Sequence, residues 1–256
     1  MKIVACIKQV PDSAAKIVAE NGQATWGDAP LVINPWDEFA VEAALQQKEA
    51  HEGEVIAISM GGESAKEALK HALAMGCDSA ILLSDPALEG LDTQGTARVL
   101  AAAIQKINDV NMSFFGRQAI DGDAGITPAQ TARVLGWPFF GLTVKLELNG
   151  NAVKVEHAIE EGRQIVTADL PAVFSIAKDF AEPRYPSFMG IRKASRAEIP
   201  VWTLADLGIS APAAVVDWPE LMNPPSREVT CEIIEGDNPE DIADKLADKI
   251  LAEKVL

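Results

Sequence analysis

Cysteine and histidine each occur only three times in this chain, and their scarcity excludes most of the chemistry they usually serve. Cys6, Cys77 and Cys231 are far apart and form no Cys-x-x-Cys pair, so neither a disulfide framework nor a cysteine zinc site is indicated. A reducing, cytoplasmic compartment is expected. His51, His71 and His157 stand singly, without the spacing of metal ligands. No nucleophile is matched to a convincing base, which argues against hydrolase or transferase chemistry. Cations are also scarce. Lys and Arg number 22 against 38 Asp and Glu, a net charge of −16 that repels nucleic-acid phosphates and anionic membrane surfaces. No nucleic-acid partner is expected, and the acidity fits either solubility or steering toward a basic protein partner. No apolar run approaches the length of a bilayer span, and the opening run is too short before Lys8 and Pro11 to be a secretory signal, so the protein is not expected to be membrane-embedded. Internal repeats and low-complexity tracts are missing too.

What is present is a globular composition, 48% hydrophobic and 23% charged over 256 residues, long enough to bury a substantial core. Strand-length apolar runs occur at 3–7, 55–60, 80–83 and 112–115, and the first three are each followed by a segment of helical character. That alternation predicts an α/β fold, a Rossmann-like parallel sheet with helices on both faces. The first helix should start near Asn34, with Asn34 as cap, Pro35 at the first helical position, Asp37 as capping-box acid, and Ala40, Ala43, Ala44 and Phe39 toward the sheet. A second should run from Gly61-Gly62 to Met75 and stop at Gly76, and a third should start near Asp92-Thr93 and carry Val99, Leu100 and Ile104. A fourth should span Thr127-Pro128 to Gly136, with Thr127 as capping hydroxyl.

After Trp137-Pro138 the pattern changes. Residues 143–148, 153–157, 164–167 and 172–176 read as strands with no helix between them, with an Asn149-Gly150 turn, and predict an antiparallel extension. Residues 178–198 hold two prolines, one glycine and five basic residues, and read as a long exposed loop. Residues 200–227 suggest an arm lying on another surface, 227–234 a strand, and Asn238-Pro239-Glu240-Asp241 the cap of an amphipathic helix carrying Ile242, Leu246 and Ile250. The expected division is a nucleotide-binding α/β domain over 1–199, including 178–198, and a C-terminal arm and helix over 200–256.

The segment from Phe115 to Pro128 joins a predicted strand to a predicted helix through a polar, glycine-bearing turn, the junction where nucleotides bind in α/β proteins. Backbone N–H groups of Gly122, Ala124, Gly125 and Ile126 can converge on an anion with the first turn of the following helix, and Thr127 can add a hydroxyl. Asp121 and Asp123 would repel a phosphate, so they suit local backbone, ribose hydroxyls or an adenine amine. The plain alternative is that these residues only make the turn and cap. Ser59-Met60-Gly61-Gly62-Glu63-Ser64 resembles the Ser-Gly-Gly-x-Asp-Ser phosphate loop of ATP pyrophosphatases, but it follows the second strand and differs in residues.

Four segments carry a wider likeness: Val4-Ala5-Cys6-Ile7-Lys8-Gln9-Val10-Pro11-Asp12, Asn34-Pro35-Trp36-Asp37-Glu38, Gly116-Arg117-Gln118-Ala119-Ile120-Asp121-Gly122-Asp123, and Glu182-Pro183-Arg184-Tyr185. Leu-Pro-Ala-Val at 170–173, after Glu160-Glu161-Gly162, adds to them. With these segments the chain resembles the beta subunit of the electron transfer flavoproteins over nearly its whole length. The resemblance implies a Rossmann-like core of the adenine nucleotide alpha hydrolase type, and a heterodimer whose alpha subunit holds most of the electron-carrying FAD. The beta subunit is implied to bury an adenine nucleotide of its own, either AMP or, in electron-bifurcating members that oxidise NADH, a second FAD. By matching position the pocket residues are Ala5, Asn34, Pro35, Trp36, Asp37, Met60, Gly116, Arg117, Gln118, Ala119, Ile120, Asp121, Gly122, Asp123, Ala124, Gly125, Ile126 and Thr127. Asp121-Gly122-Asp123 looks like the bifurcating branch. The following Ala124-Gly125-Ile126-Thr127 matches neither that branch's Thr-Ala-Gln-Val-Gly nor the Asn-Gln-Thr of many AMP-binding members. Ser13 stands where some AMP-binding relatives have an aromatic residue.

The same resemblance implies docking of an acyl-CoA dehydrogenase or similar flavin dehydrogenase through the segment after Glu-Pro-Arg-Tyr. Phe188 takes the anchor position, with Met189 beside it, Tyr185 in the motif, and Arg184, Arg192 and Lys193 as a basic rim. The expected role is a non-enzymatic electron-carrier subunit. The alternative from another class is a stand-alone adenine-nucleotide enzyme or sensor of the same fold.

Overall fold

The structure is a computed structural model that describes residues 1–217, 220–226 and 231–253. Its strands are β1 (Lys2–Cys6), β2 (Gln9–Pro11), β3 (Val18–Glu20), β4 (Gln23–Thr25), β5 (Leu31–Ile33), β6 (Glu54–Met60), β7 (Ser79–Leu83), β8 (Met112–Gly116), β9 (Phe139–Asn149), β10 (Ala152–Ile159), β11 (Gly162–Asp169), β12 (Ala172–Ile176) and β13 (Val201–Trp202). The helices are α1 (Pro35–His51), α2 (Lys66–Met75), α3 (Thr93–Ile107), α4 (Thr127–Leu135), α5 (Phe188–Ala194), α6 (Leu204–Leu207) and α7 (Pro239–Ala252).

Nine strands form one sheet in the order β11-β10-β9-β12-β8-β1-β6-β7-β13. From β9 to β13 every neighbour is parallel, whereas β10 is antiparallel to both β9 and β11. The central strands are apolar on both faces, as a sheet covered twice requires. Ile3 and Ala5 of β1 join Ala57, Phe114 and Phe174 in a core layer with Ala40, Ala43, Ala44 and Leu45 of α1 and Leu69 and Ala72 of α2. Val4 and Cys6 join Ile58, Phe115 and Val173 in the opposite layer, under Val99, Leu100 and Ile104 of α3 and Ala132 of α4. The small residues of α1 let it lie close to the sheet. Phe114, Phe174 and Phe140 stack with centroids 5.0 and 5.3 Å apart, tying three adjacent strands together.

The predicted α/β sheet is therefore present, with helices on both faces. Three expectations need correction. The strand at 172–176 belongs to the parallel core, between β8 and β9, and not to the antiparallel extension. All five of its residues are buried, the signature of a strand covered on both faces. The extension consists of β9, β10 and β11, with Gly150 in the first turn at φ 63°. Residues 178–198 are not one loop, since α5 opens at Phe188 with the Ser187 side chain accepting from Gly190 N at 2.9 Å. Residues beyond 199 are not all arm, because β13 pairs with β7 and the short α6 packs on α3.

The chain accordingly divides into a compact unit over Met1–Leu221 and a second over Met222–Leu256. In the second unit Asn238 caps α7 as expected, its side chain accepting from Asp241 N at 3.0 Å. No described residue of that helix is buried, so its apolar Ile242, Leu246 and Ile250 lack a core. Of the strand expected over 227–234, residues 227–230 lie outside the described residues, and 231–234 form no regular element.

Candidate nucleotide site

From β1 the chain builds β6 and β7 on one side, then returns through α3 to place β8 on the other side of β1. The strand order reverses between β1 and β8, and ligands in open α/β sheets bind at the carboxyl ends of strands flanking such a reversal. At those ends hydrogen bonds and an ion pair link Lys8, Asn34, Asp37, Gly116, Gln118, Ile120 and Asp121, residues scattered in sequence.

Asn34 and Asp37 hold this place together. Asn34 sits at the cap position of α1, but its side chain makes no cap hydrogen bond. Instead its Nδ2 donates to Gln118 O at 2.8 Å and its Oδ1 accepts from Ile120 N at 3.1 Å. Asp37 is no capping-box acid either. Its carboxylate accepts from Lys8 N at 2.7 Å and from Gly116 N at 3.2 Å, the amides at the exits of β1 and β8. The correction has a physical reason: buried polar groups must be paired, and strand-exit amides beside a topological switch have no ladder partner. Burial pushes the Asp37 carboxyl up to about 7, against the pull of the Lys8 amide, Asn34, the Gly116 amide and the Lys8 charge. Burial, with the Asp37 charge adding, also pushes the Cys6 thiol well up, which leaves it unreactive.

Gly116 is required by this packing, since a Cβ there would meet the Asp37 carboxylate and lie 2.6 Å from the Trp36 carbonyl carbon. Pro35 opens α1, and Trp36 lies with its ring centroid 5.6 Å from the exposed Arg117 guanidinium. Ala5 is fully buried with its methyl in the core, so only its backbone can line a site. Met60 is half-buried at the exit of β6, packed on the α3 side of the sheet.

Beyond Gly116 the loop is organised by its own polar groups. Lys8 Nζ pairs with Asp121 at 2.6 Å, Gln118 Nε2 donates to Asp123 at 2.8 Å, and Asp123 N donates to Ala119 O at 2.9 Å. Gly122 N also turns to Ala119 O, at 3.4 Å, so it is not among the free donors. Asp123 and Gly125 take positive φ of 47° and 63°, which turns the chain into α4. Among the described residues, the backbone N–H groups of Ala124, Gly125 and Ile126 have no protein acceptor. They stand ahead of the first turn of α4, where the helix dipole favours an anion. Thr127 does not cap the helix; it is its first residue, and its carbonyl accepts from Thr131 Oγ1 at 2.8 Å.

The sequence reading missed an adjoining groove of about 450 Å3 between α3 and α4, lined by Gln94, Arg98, Ile126, Ala129, Gln130, Arg133 and Val134. Neither Arg98 nor Arg133 forms an ion pair among the described residues, so two cations of a very acidic chain line this groove together with Ile126. Their scarcity in the composition was the signal available. No cluster of described side chains is suited to hold a metal ion.

Residues 27–207 match the electron transfer flavoprotein domain family. The chain is 36% identical to the electron transfer flavoprotein subunit beta of Megasphaera elsdenii, with all of both chains covered. It is 40% identical to the subunit beta of Clostridium acetobutylicum over 82% of this chain and 81% of that one. It is 38% identical to the caffeyl-CoA reductase-Etf complex subunit CarD of Acetobacterium woodii, over 83% and 82%. This chain belongs to the electron transfer flavoprotein beta subunit family. The family name gives an electron-carrier role, and the relatives named here are subunits of such flavoproteins or of an Etf complex. No helix among the described residues is long and apolar enough to cross a membrane.

The second region singled out by the resemblance to the electron transfer flavoproteins lies at 184–189. Tyr185, Phe188 and Met189 are 95%, 79% and 68% exposed, an apolar group left uncovered among the described residues. Arg184 is placed differently from its neighbours: its guanidinium faces α1 and pairs with Glu42 at 2.8 Å and Glu49 at 2.5 Å. Arg192 and Lys193, on the last turn of α5, are exposed.

Proposed function

We propose that the chain is the nucleotide-holding beta subunit of a heterodimer that carries electrons between a flavin dehydrogenase, such as an acyl-CoA dehydrogenase, and a downstream acceptor. The observation that carries this reading is the set of unpaired amides at Ala124, Gly125 and Ile126, ahead of α4 and beside the strand exits clamped by Asn34 and Asp37. These donors fit a phosphate. The Asp121 and Asp123 carboxylates, exchanging Lys8 and Gln118 for ligand, fit ribose hydroxyls or an adenine amine. FAD, held mainly by the alpha subunit, supplies the redox chemistry. This chain's own residues bind and orient the adenine nucleotide, whether AMP or a second FAD, and support the flavin domain of the partner. The three free thiols suit a reducing cytoplasm.

Extracting the nucleotides from the purified heterodimer tests the reading. One FAD and one AMP per complex is the result for simple carriage, and two FAD without AMP the result for bifurcation with NADH. A complex with one FAD and no second adenine nucleotide would remove the proposed pocket. Exposed Tyr185, Phe188 and Met189 support a docking surface for the dehydrogenase. Phe188→Ala is expected to slow electron exchange at subsaturating dehydrogenase with FAD still bound, and equal rates would count against the anchor.

A further inference from the structure

The segment bearing Tyr185, Phe188 and Met189 lies outside the sheet, yet it is pinned at both ends. At its start, Arg184 Nε donates to Glu42 Oε2 at 2.8 Å, Nη2 to Glu42 Oε1 at 3.1 Å, and the Arg184 backbone N to Glu42 Oε2 at 3.1 Å. The remaining edge of the guanidinium meets Glu49 at 2.5 and 3.3 Å. Glu42 is buried on the face of α1 that otherwise carries Val41 and Leu45, and Gln46 donates to it at 2.9 Å. Burial pushes the Glu42 carboxyl up, but the Arg184 and Gln46 hydrogen bonds outweigh it and hold it below the ordinary value. At the other end α5 packs on α2, so closely that a Cβ at Gly190 would overlap the Ala74 carbonyl.

A buried carboxylate is costly unless fully paired, and here its one ion-pair partner among the described residues is Arg184, with Gln46 adding a single hydrogen bond. An arginine needed only as a partner-facing charge would stay in water, as Arg192, Lys193 and Arg196 do. We propose that Arg184 is a positioning residue: with Glu42 and Glu49 it forms a clasp that fixes the Tyr185, Phe188 and Met189 surface in its docking conformation before the partner arrives. Binding then orders fewer side chains and less backbone, which raises affinity without any contact from Arg184 itself. The inference rests on the docking reading above.

Arg184→Lys in the assembled heterodimer separates a clasp from a rim charge, because lysine keeps the charge and loses the planar fork. Hydrogen exchange of the amides over 185–191 is expected to accelerate by about tenfold or more. The concentration of a purified acyl-CoA dehydrogenase giving half-maximal electron exchange is expected to rise about three- to tenfold, with maximal rate and FAD spectrum unchanged. Unchanged amide exchange, or unchanged half-saturation, overturns the proposal. Phe188→Ala in parallel distinguishes the two claims. If it raises half-saturation and Arg184→Lys does not, the clasp falls and the docking surface stands; if neither does, the docking reading has failed. Should Arg184→Lys lose FAD, Glu49→Gln removes only the exposed arm and is expected to shift both readouts about twofold, and no shift in either overturns the clasp.

Discussion

At the scale of single residues, Asp37 is the group on which the site turns. A carboxyl whose folded value is raised to about 7 from 3.8 is protonated in the fold while already ionised in the unfolded chain over the interval between them. Its contribution to stability is therefore full below about pH 4 and is lost as pH rises toward 7, a change of up to about 4 kcal/mol. The groups facing it are the Lys8 and Gly116 amides, Asn34, Cys6 and the Lys8 side chain, itself tied to Asp121. Asp37→Asn is expected to remove this falling limb, so that the thermal midpoint of the variant heterodimer gains on the wild type between pH 5 and pH 8. A pH-independent offset would rule Asp37 out as the titrating group. Gly116→Ala tests the same junction by volume: the added methyl must push β8 from the Trp36 carbonyl, at a cost of about 1–3 kcal/mol in denaturant titration. Asn34 and Asp37 were legible as important residues but not in their roles. Asn-Pro-x-Asp is also a helix-cap sequence, and nothing local reveals that the partners of Asn34 lie 84 and 86 positions away.

Among elements, the loop from Gly116 to Thr127 does the most with the least regular structure. Gly125 sits at φ 63°, where a branched side chain costs about 1–2 kcal/mol, and its N–H is one of the free donors. Gly125→Val is expected to reduce adenine nucleotide recovered from the beta site while circular dichroism of the complex stays unchanged. Full nucleotide retention would move the phosphate elsewhere, with the Arg98 and Arg133 groove the first place to look. The strand–loop–helix order here was readable from apolar runs and from Thr127-Pro128, because helix starts and buried strands have local signals. The placement of β12 was not. Its buried run is compatible with any strand covered on both faces, and sequence adjacency to β11 suggested the wrong neighbour. Likewise β13 is two residues long, too short for any periodicity, although it closes the edge of the sheet.

For the whole molecule, the contrast between the two units sets the last expectation. The unit over Met1–Leu221 contains both core layers and every strand described, whereas α7 in the unit over Met222–Leu256 buries none of its described residues. An amphipathic helix that leaves Leu246 and Leu251 46% and 64% exposed gains little from its own chain, since helix stability in proteins comes mainly from packing an apolar face. On the heterodimer reading proposed above, that face is the part of this unit offered to the alpha subunit. A chain ending at Leu221 is therefore expected to keep the secondary structure of the sheet and a thermal midpoint within a few degrees of the full chain, about 1 kcal/mol or less. Its affinity for the alpha subunit should fall at least about tenfold, because an interface helix with several apolar residues is lost. Sedimentation of mixtures of the two subunits measures this directly. If the shortened chain fails to fold alone while the full chain folds, residues 222–256 belong to the core of this subunit. If it folds and pairs with undiminished affinity, the helix serves neither purpose.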